Sequence, residues 1–245
     1  MPFIDINGLR THYQELNPSG KETIIMIHGI IANLAQFYLT IAPELSSSYR
    51  VILYDIRGHG KTDMPASNYK IDDFNEDLLL LMSVLKIKKA HIIGFSFGGL
   101  IALKFAFKYP KRIHKLGIIE CPNPIRPTFE TAQEHMKEDE NSKNPTDKFK
   151  DRLKQRTLKL MNTTTITQDI DADKDIDNES ISQLKPSTLL LYGTHSDCYD
   201  MATRLITHAP NTTLKEIDGD HYFIMTKPSL VSLELKKFLS EPVYA

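Results

Sequence analysis

The sequence predicts an α/β fold: a doubly wound, mostly parallel sheet of about eight strands, opened by an antiparallel hairpin. Three observations carry that expectation. Short apolar runs alternate with stretches of helical spacing along most of the chain. The opening segment, Phe3 to Leu16, alternates in polarity and breaks at Asn7-Gly8, a dipeptide suited to the positive φ angles of a two-residue hairpin. Finally, Gly94-Phe95-Ser96-Phe97-Gly98 lies between apolar Ala90 to Ile93 and helix-like Leu100 to Phe107. A strand therefore passes into a helix through a turn flanked by glycines, which remove the side chains that would otherwise clash.

Taken in order, Thr23-Ile24-Ile25-Met26-Ile27 and Val51-Ile52-Leu53-Tyr54 are continuous apolar runs, as expected of strands covered on both faces. Between them Leu34, Phe37, Tyr38, Ile41 and Leu45 keep helical spacing and predict one helix over 34–45. The rhythm then repeats. A helix over 71–85 precedes a strand over 90–93, and a helix over 100–109 stops at Pro110, which cannot continue a helical hydrogen-bond ladder. A strand over 113–119 ends at Glu120-Cys121-Pro122. After it come a strand over 188–192, a helix over 201–208, a strand over 213–217 and a closing helix over 229–239. Such a sheet carries its site at the carboxyl ends of the strands.

Residues 1–121 and 187–245 make up this core, as one domain. Residues 122–186 break the rhythm, with three prolines at their start and the acidic run Asp169 to Asp177. They read as a short helical cap insertion: Phe149, Leu153, Leu160 and Met161 share roughly one helical face, so helices should lie over the sheet's upper edge as a lid.

The bulk properties narrow the partners. The chain has 30 Lys plus Arg against 31 Asp plus Glu, so nothing in its net charge suits a polyanion such as nucleic acid, and a small molecule is the expected partner. Its only cysteines, Cys121 and Cys198, are far apart, which suggests reduced thiols in a cytoplasmic setting. The first residues lack the basic and apolar regions of a signal peptide, and no apolar run reaches membrane-spanning length.

Chemistry converges on Ser96. A hydroxyl at the apex of a strand-to-helix turn is exposed, and the first free N–H groups of the helix point at any charge that develops there. Serine needs a base to take its proton, and histidine suits that task at neutral pH. His221, in Asp218-Gly219-Asp220-His221, follows the last strand on a loop expected to face the turn. An acid on the imidazole's far nitrogen would hold its tautomer. Asp197, four residues after Gly193, is the preferred acid, with Asp200 and Glu120 as alternatives.

The chain order Ser96, Asp197, His221 and three further motifs resemble the α/β-hydrolase fold superfamily, over nearly the whole chain outside the insertion. The motifs are His28-Gly29-Ile30, Asp55-Ile56-Arg57-Gly58-His59-Gly60-Lys61 and Gly219-Asp220-His221. By that resemblance the backbone N–H groups of Ile30 and Phe97 supply an oxyanion hole. The activity it implies is hydrolysis of a small carboxylic ester or thioester through an acyl-enzyme. Two alternatives remain: carbon–carbon cleavage or a menaquinone-pathway-like elimination on the same triad, and a binding protein that has lost turnover.

Other residues read as structural. His28 and His59 suit loop bracing, and His195 a solvated loop. The alternating acids of Asp169 to Asp177 imitate a calcium loop, but Lys174 stands where glycine is needed and Ser180 where a glutamate would close the shell. The run therefore reads as a solvated acidic loop, and neither metal nor cofactor is implied. Lys148, Lys150, Arg152, Lys154, Arg156 and Lys159 form a basic face, expected to be solvated, with an anionic substrate, an acyl carrier's phosphopantetheine arm or a membrane surface as alternatives. Phe95, Phe223 and Met225 are expected to fill core, with an acyl pocket as the alternative.

Overall fold

A computed structural model describes residues 2–124, 147–173 and 176–242. The side chains of Lys148, Phe149, Lys150 and Leu153, and Lys174 altogether, lie outside the described residues. Among the described residues, one sheet contains β1 (Phe3–Ile6), β2 (Leu9–Leu16), β3 (Thr23–Ile27), β4 (Arg50–Tyr54), β5 (Ala90–Phe95), β6 (Ile113–Ile119), β7 (Ser187–Gly193) and β8 (Thr212–Ile217). Their order is β1-β2-β4-β3-β5-β6-β7-β8. β1 and β2 form the antiparallel hairpin, β2 pairs antiparallel with β4, and every later pairing is parallel.

The chain moves outward from β3 to β4 and then returns to the other side of β3 with β5. That reversal opens a crevice beyond the carboxyl ends of β3 and β5, where an open α/β sheet binds its ligands.

Side-chain alternation divides the core. Ile25 and Ile27 of β3 and Ala90 and Ile92 of β5 face one cluster, with α3 (Ile71–Val84), α4 (Phe97–Lys108) and α8 (Tyr199–His208). Ile24, Met26, Ile93 and Phe95 face the other, with α1 (Ala35–Tyr38), α2 (Ala42–Leu45), α9 (Phe223–Thr226) and α10 (Pro228–Ser240). Strands sandwiched in this way read as unbroken apolar runs because neither face meets water.

One expected helix is two. The stretch 34–45 forms α1 and α2, because Pro43 has no N–H to continue the ladder and helix restarts around it. The apolar face survives the break, since Leu34, Phe37, Ile41 and Leu45 are all buried. At the far end, buried Lys115 of β6 donates from Nζ to the carbonyls of Phe238, Leu239 at 3.2 Å and Glu241 at 2.6 Å. It thereby satisfies carbonyls that the end of α10 would leave unpaired.

The described part of the insertion holds α5 (Asp147–Thr163), α6 (Ile166–Asp171) and α7 (Asn178–Ser182). Here the acidic run departs from the solvated loop that its composition suggests. Asp169 accepts from Tyr69 N at 2.9 Å, and Asp173 accepts from Ile71 N at 2.6 Å and lies 3.5 Å from Lys104 Nζ. The first turn of α3 has N–H groups without helical partners and the positive end of the helix dipole, so carboxylates from the insertion dock there. Arg156 likewise donates to Thr62 O at 2.7 Å, leaving Arg152 and Lys159 on the exposed face. Among the described residues no helix is long and apolar enough to cross a membrane.

Candidate active site

β5 ends at Phe95, α4 starts at Phe97, and Ser96 joins them at φ 53° and ψ −123°. No β-carbon fits at either flank. One on Gly94 would lie 2.1 Å from Gly98 O, and one on Gly98 would lie 2.2 Å from Ile27 O. Both glycines are thus required by the close approach of helix, elbow and β3. Ser96 N donates to Ile119 O at 2.8 Å, and Gly99 N is the first helical donor back to Ser96 O, at 2.8 Å. The amides of Phe97 and Gly98 precede that donor in the first turn, where a helix has no carbonyl to offer them.

His221 lies on the loop between β8 and α9. Its Nε2 is 3.1 Å from Ser96 Oγ, and its ring sits 5.1 Å from that of Phe95 and 5.3 Å, edge-on, from that of Tyr222. Its Nδ1 is 3.0 Å from Glu120 Oε2. Glu120 is fully buried, and its left-handed backbone, φ 54°, turns the chain at the end of β6. Gly193 N donates to Oε1 at 2.5 Å and the Ser196 hydroxyl donates to Oε2. With both oxygens fixed, the carboxylate has one lone-pair direction aimed at the imidazole.

The acid preferred from chain order lies on the loop after β7, next to Cys198. Asp197 is exposed, with Oδ1 3.7 Å from Cys198 Sγ, and Asp200 is exposed and accepts from Asn123 Nδ2 at 3.1 Å. The loop after β7 closes into a turn, Ser196 N to Gly193 O at 3.1 Å, so it presents the Ser196 hydroxyl to Glu120. Spacing along the chain does not show this turn. The sequence signal for Glu120 is a lone acid closing the otherwise apolar run Leu116 to Ile119; Ser196 and the Gly193 amide have no signal of their own.

The loop after β3 faces the elbow. A β-carbon on Gly29 would lie 3.2 Å from Ser96 Cβ, which measures how near the chain leading to Ile30 comes to the hydroxyl. Ala32 N donates to Gly29 O at 3.3 Å across a turn whose third residue, Ile31, has φ 63°. Buried His28 braces the loop: Ile56 N donates to its Nε2 at 3.2 Å, so the proton belongs on Nδ1, which donates to Gly29 O at 2.7 Å. Burial lowers its pKa and keeps the ring neutral in that tautomer. His59 is also buried; Nδ1 lies 2.8 Å from Arg57 O, and desolvation followed by the His28 neighbour pushes its pKa down to about 3.

Asp55 ties the surrounding loops together. It accepts from Leu34 N at 2.7 Å, from Lys61 N at 2.8 Å and from His12 Nδ1 at 2.7 Å. Arg57 forms a buried two-point pair with Asp77, at 2.7 and 2.6 Å. Phe95 and Phe223 are buried in the core, Met225 is half exposed, and His195 is exposed on its loop, 3.5 Å from Asp218.

A family model described as alpha/beta hydrolase fold matches residues 22–155. Epoxide hydrolase 4 of Homo sapiens is 35% identical over 120 residues, 48% of this chain and 33% of that protein. A 2-hydroxy-6-oxononadienedioate/2-hydroxy-6-oxononatrienedioate hydrolase of Comamonas testosteroni is 38% identical over 137 residues, 53% of this chain and 48% of that protein. The matched region is thus less than half the length of either relative. The crystal structure of the enol-lactonase from Burkholderia xenovorans superposes with a TM-score of 0.78 at 20% identity, covering 98% of this chain and 100% of that one, a likeness of fold.

Proposed function

Because this chain belongs to the alpha/beta hydrolase fold family, we propose that it is a serine hydrolase cleaving a small carboxylic ester or thioester through an acyl-enzyme. The observation that carries the reading is an unbroken relay, Ser96 Oγ to His221 Nε2 at 3.1 Å and His221 Nδ1 to Glu120 Oε2 at 3.0 Å. Glu120 therefore takes the acid's role in place of Asp197. Ser96 attacks the acyl carbon while its proton passes to Nε2, and Glu120 stabilises the imidazolium that forms. The Ile30 and Phe97 amides receive the oxyanion. Nε2–H then protonates the departing alkoxide or thiolate, and water, activated by the same imidazole, releases the acid. The carboxylates of the insertion that meet the start of α3 support reading it as a lid over the crevice.

A second reading keeps the relay and changes the bond: carbon–carbon hydrolysis, favoured by the 38% identity to the Comamonas testosteroni hydrolase. Pre-steady-state mixing with a chromogenic ester separates the two. A burst of alcohol equal to the enzyme concentration, abolished in Ser96→Ala together with fluorophosphonate labelling, supports the acyl-enzyme. Undiminished turnover by Ser96→Ala refutes both.

A further inference from the structure

We infer that Cys198, His221 and Glu120 form an inhibitory binding site for zinc. The relay uses the carboxylate and the imidazole; nothing in ester hydrolysis calls for a thiol beside them. Yet Cys198 Sγ lies 3.5 Å from His221 Nδ1, on the same side as Glu120 Oε2 at 3.0 Å. One ligand atom from each of the three residues falls within 4.8 Å of the other two. Tetrahedral zinc with bonds of about 2.0–2.3 Å holds its ligand atoms roughly 3.3–3.6 Å apart, so the imidazole–sulfur spacing already matches, while the carboxylate, now hydrogen-bonded to Nδ1, swings aside to admit the ion and binds it from there. A sulfur, an imidazole nitrogen and a carboxylate oxygen are a donor set for zinc or cadmium, not for the oxygen-seeking magnesium or calcium.

Inhibition follows from proton bookkeeping on one ring. Zinc displaces the thiol proton of Cys198 to solvent and takes the lone pair of Nδ1, whose proton moves to Nε2. A neutral imidazole ligated through Nδ1 carries its remaining hydrogen on Nε2, which then donates and cannot accept. Ser96 keeps its proton because its base holds one already. The thiolate and the Glu120 carboxylate together neutralise the two charges of the ion, which suits a site this buried. This loss of turnover rests on the relay proposed above; the binding itself does not.

The test separates the two. In chelator-treated protein, zinc chloride should inhibit ester hydrolysis reversibly, with activity restored by EDTA, and magnesium or calcium should have no effect. Cys198→Ala should need at least about tenfold more zinc for half-inhibition of its own basal rate, since even partners outside a metal's ligand set are worth that much. Should alanine unfold this buried position, Cys198→Ser takes its place. Independently of any activity, cadmium titrated into Ser96→Ala should raise the ultraviolet thiolate-to-metal absorption to saturation at one equivalent. The band should vanish in Ser96→Ala/Cys198→Ala, which retains Cys121. No band, or equal zinc sensitivity in wild type and Cys198→Ala, overturns the site. A band without inhibition overturns the inhibitory role, and a band in a protein that hydrolyses no ester leaves the site standing while the hydrolase reading falls.

Discussion

Asp55 and Glu120 are buried carboxylates just past the carboxyl ends of β4 and β6, and their first neighbours are nearly the same. Each accepts from backbone N–H groups, Leu34 and Lys61 for Asp55 and Gly193 for Glu120, and each takes an imidazole Nδ1, from His12 at 2.7 Å and His221 at 3.0 Å. The difference is one bond further out. Nε2 of His12 has the Gln14 amide at 3.5 Å, whereas Nε2 of His221 has the Ser96 hydroxyl at 3.1 Å. A carboxylate–imidazole pair is therefore not a catalytic signature by itself. What stands on the second nitrogen separates the pair that fastens loops from the pair proposed to move a proton.

Removing one charge from each pair tells the two carboxylates apart. Glu120→Gln should lower kcat by about 10⁴-fold, as loss of the orienting acid does in serine triads, with the fold intact by circular dichroism. Asp197→Asn should cost less than about tenfold. If Asp197→Asn proves the crippling change, the acid belongs to Asp197 after all. Asp55→Asn should act on stability, by about 3 kcal/mol in urea unfolding, because it leaves His12 and the Leu34 and Lys61 amides competing for one acceptor oxygen. A dead but fully stable Asp55→Asn would erase the distinction.

The braced histidines give a third outcome. His59 has its pKa depressed to about 3 from 6.5, so between those values the unfolded chain binds a proton that the native chain does not. Stability then rises with pH across that window and falls on acidification, by up to about 1.4 kcal/mol per pH unit from this group. His59→Asn, which can still donate to Arg57 O, should flatten the urea-midpoint profile between pH 6.5 and 5. An unchanged slope would remove His59 from the account. The smallest effect is at the docked insertion. Burial works against ionisation of Asp169, but bonds from the Thr165 hydroxyl and Tyr69 N bring its pKa down overall. Asp169→Asn should cost about 0.5–1 kcal/mol and speed proteolysis within α5 to α7 at neutral pH, and less as pH falls through the lowered carboxyl pKa.

Much of this was legible along the chain. Strands buried on both faces announced themselves as unbroken apolar runs, and the elbow by two glycines that close contacts with Gly98 O and Ile27 O demand. Ser96 and His221, named from the motifs, come together at 3.1 Å. Less legible was anything decided by how a loop folds back. Pro43 divides a helix whose spacing looks continuous. Asp169 and Asp173 look solvated until the chain entering α3 presents the Tyr69 and Ile71 amides to them. Asp197 is well placed by chain order, while Glu120 gains the imidazole because Gly193 N and the Ser196 hydroxyl, 73 and 76 residues away along the chain, converge on it. Contacts between distant loops leave no local pattern to read.

Ile31 carries a consequence for anyone redesigning this molecule. A β-branched residue at φ 63° costs on the order of 1–3 kcal/mol, so a search for thermostable variants will pick Ile31→Gly as an easy gain. The same bend follows Ile30, whose amide is proposed to receive the oxyanion. A hardier variant relaxed at this position should be a slower catalyst, so the surplus melting temperature is better sought on the outer faces of α5 and α10.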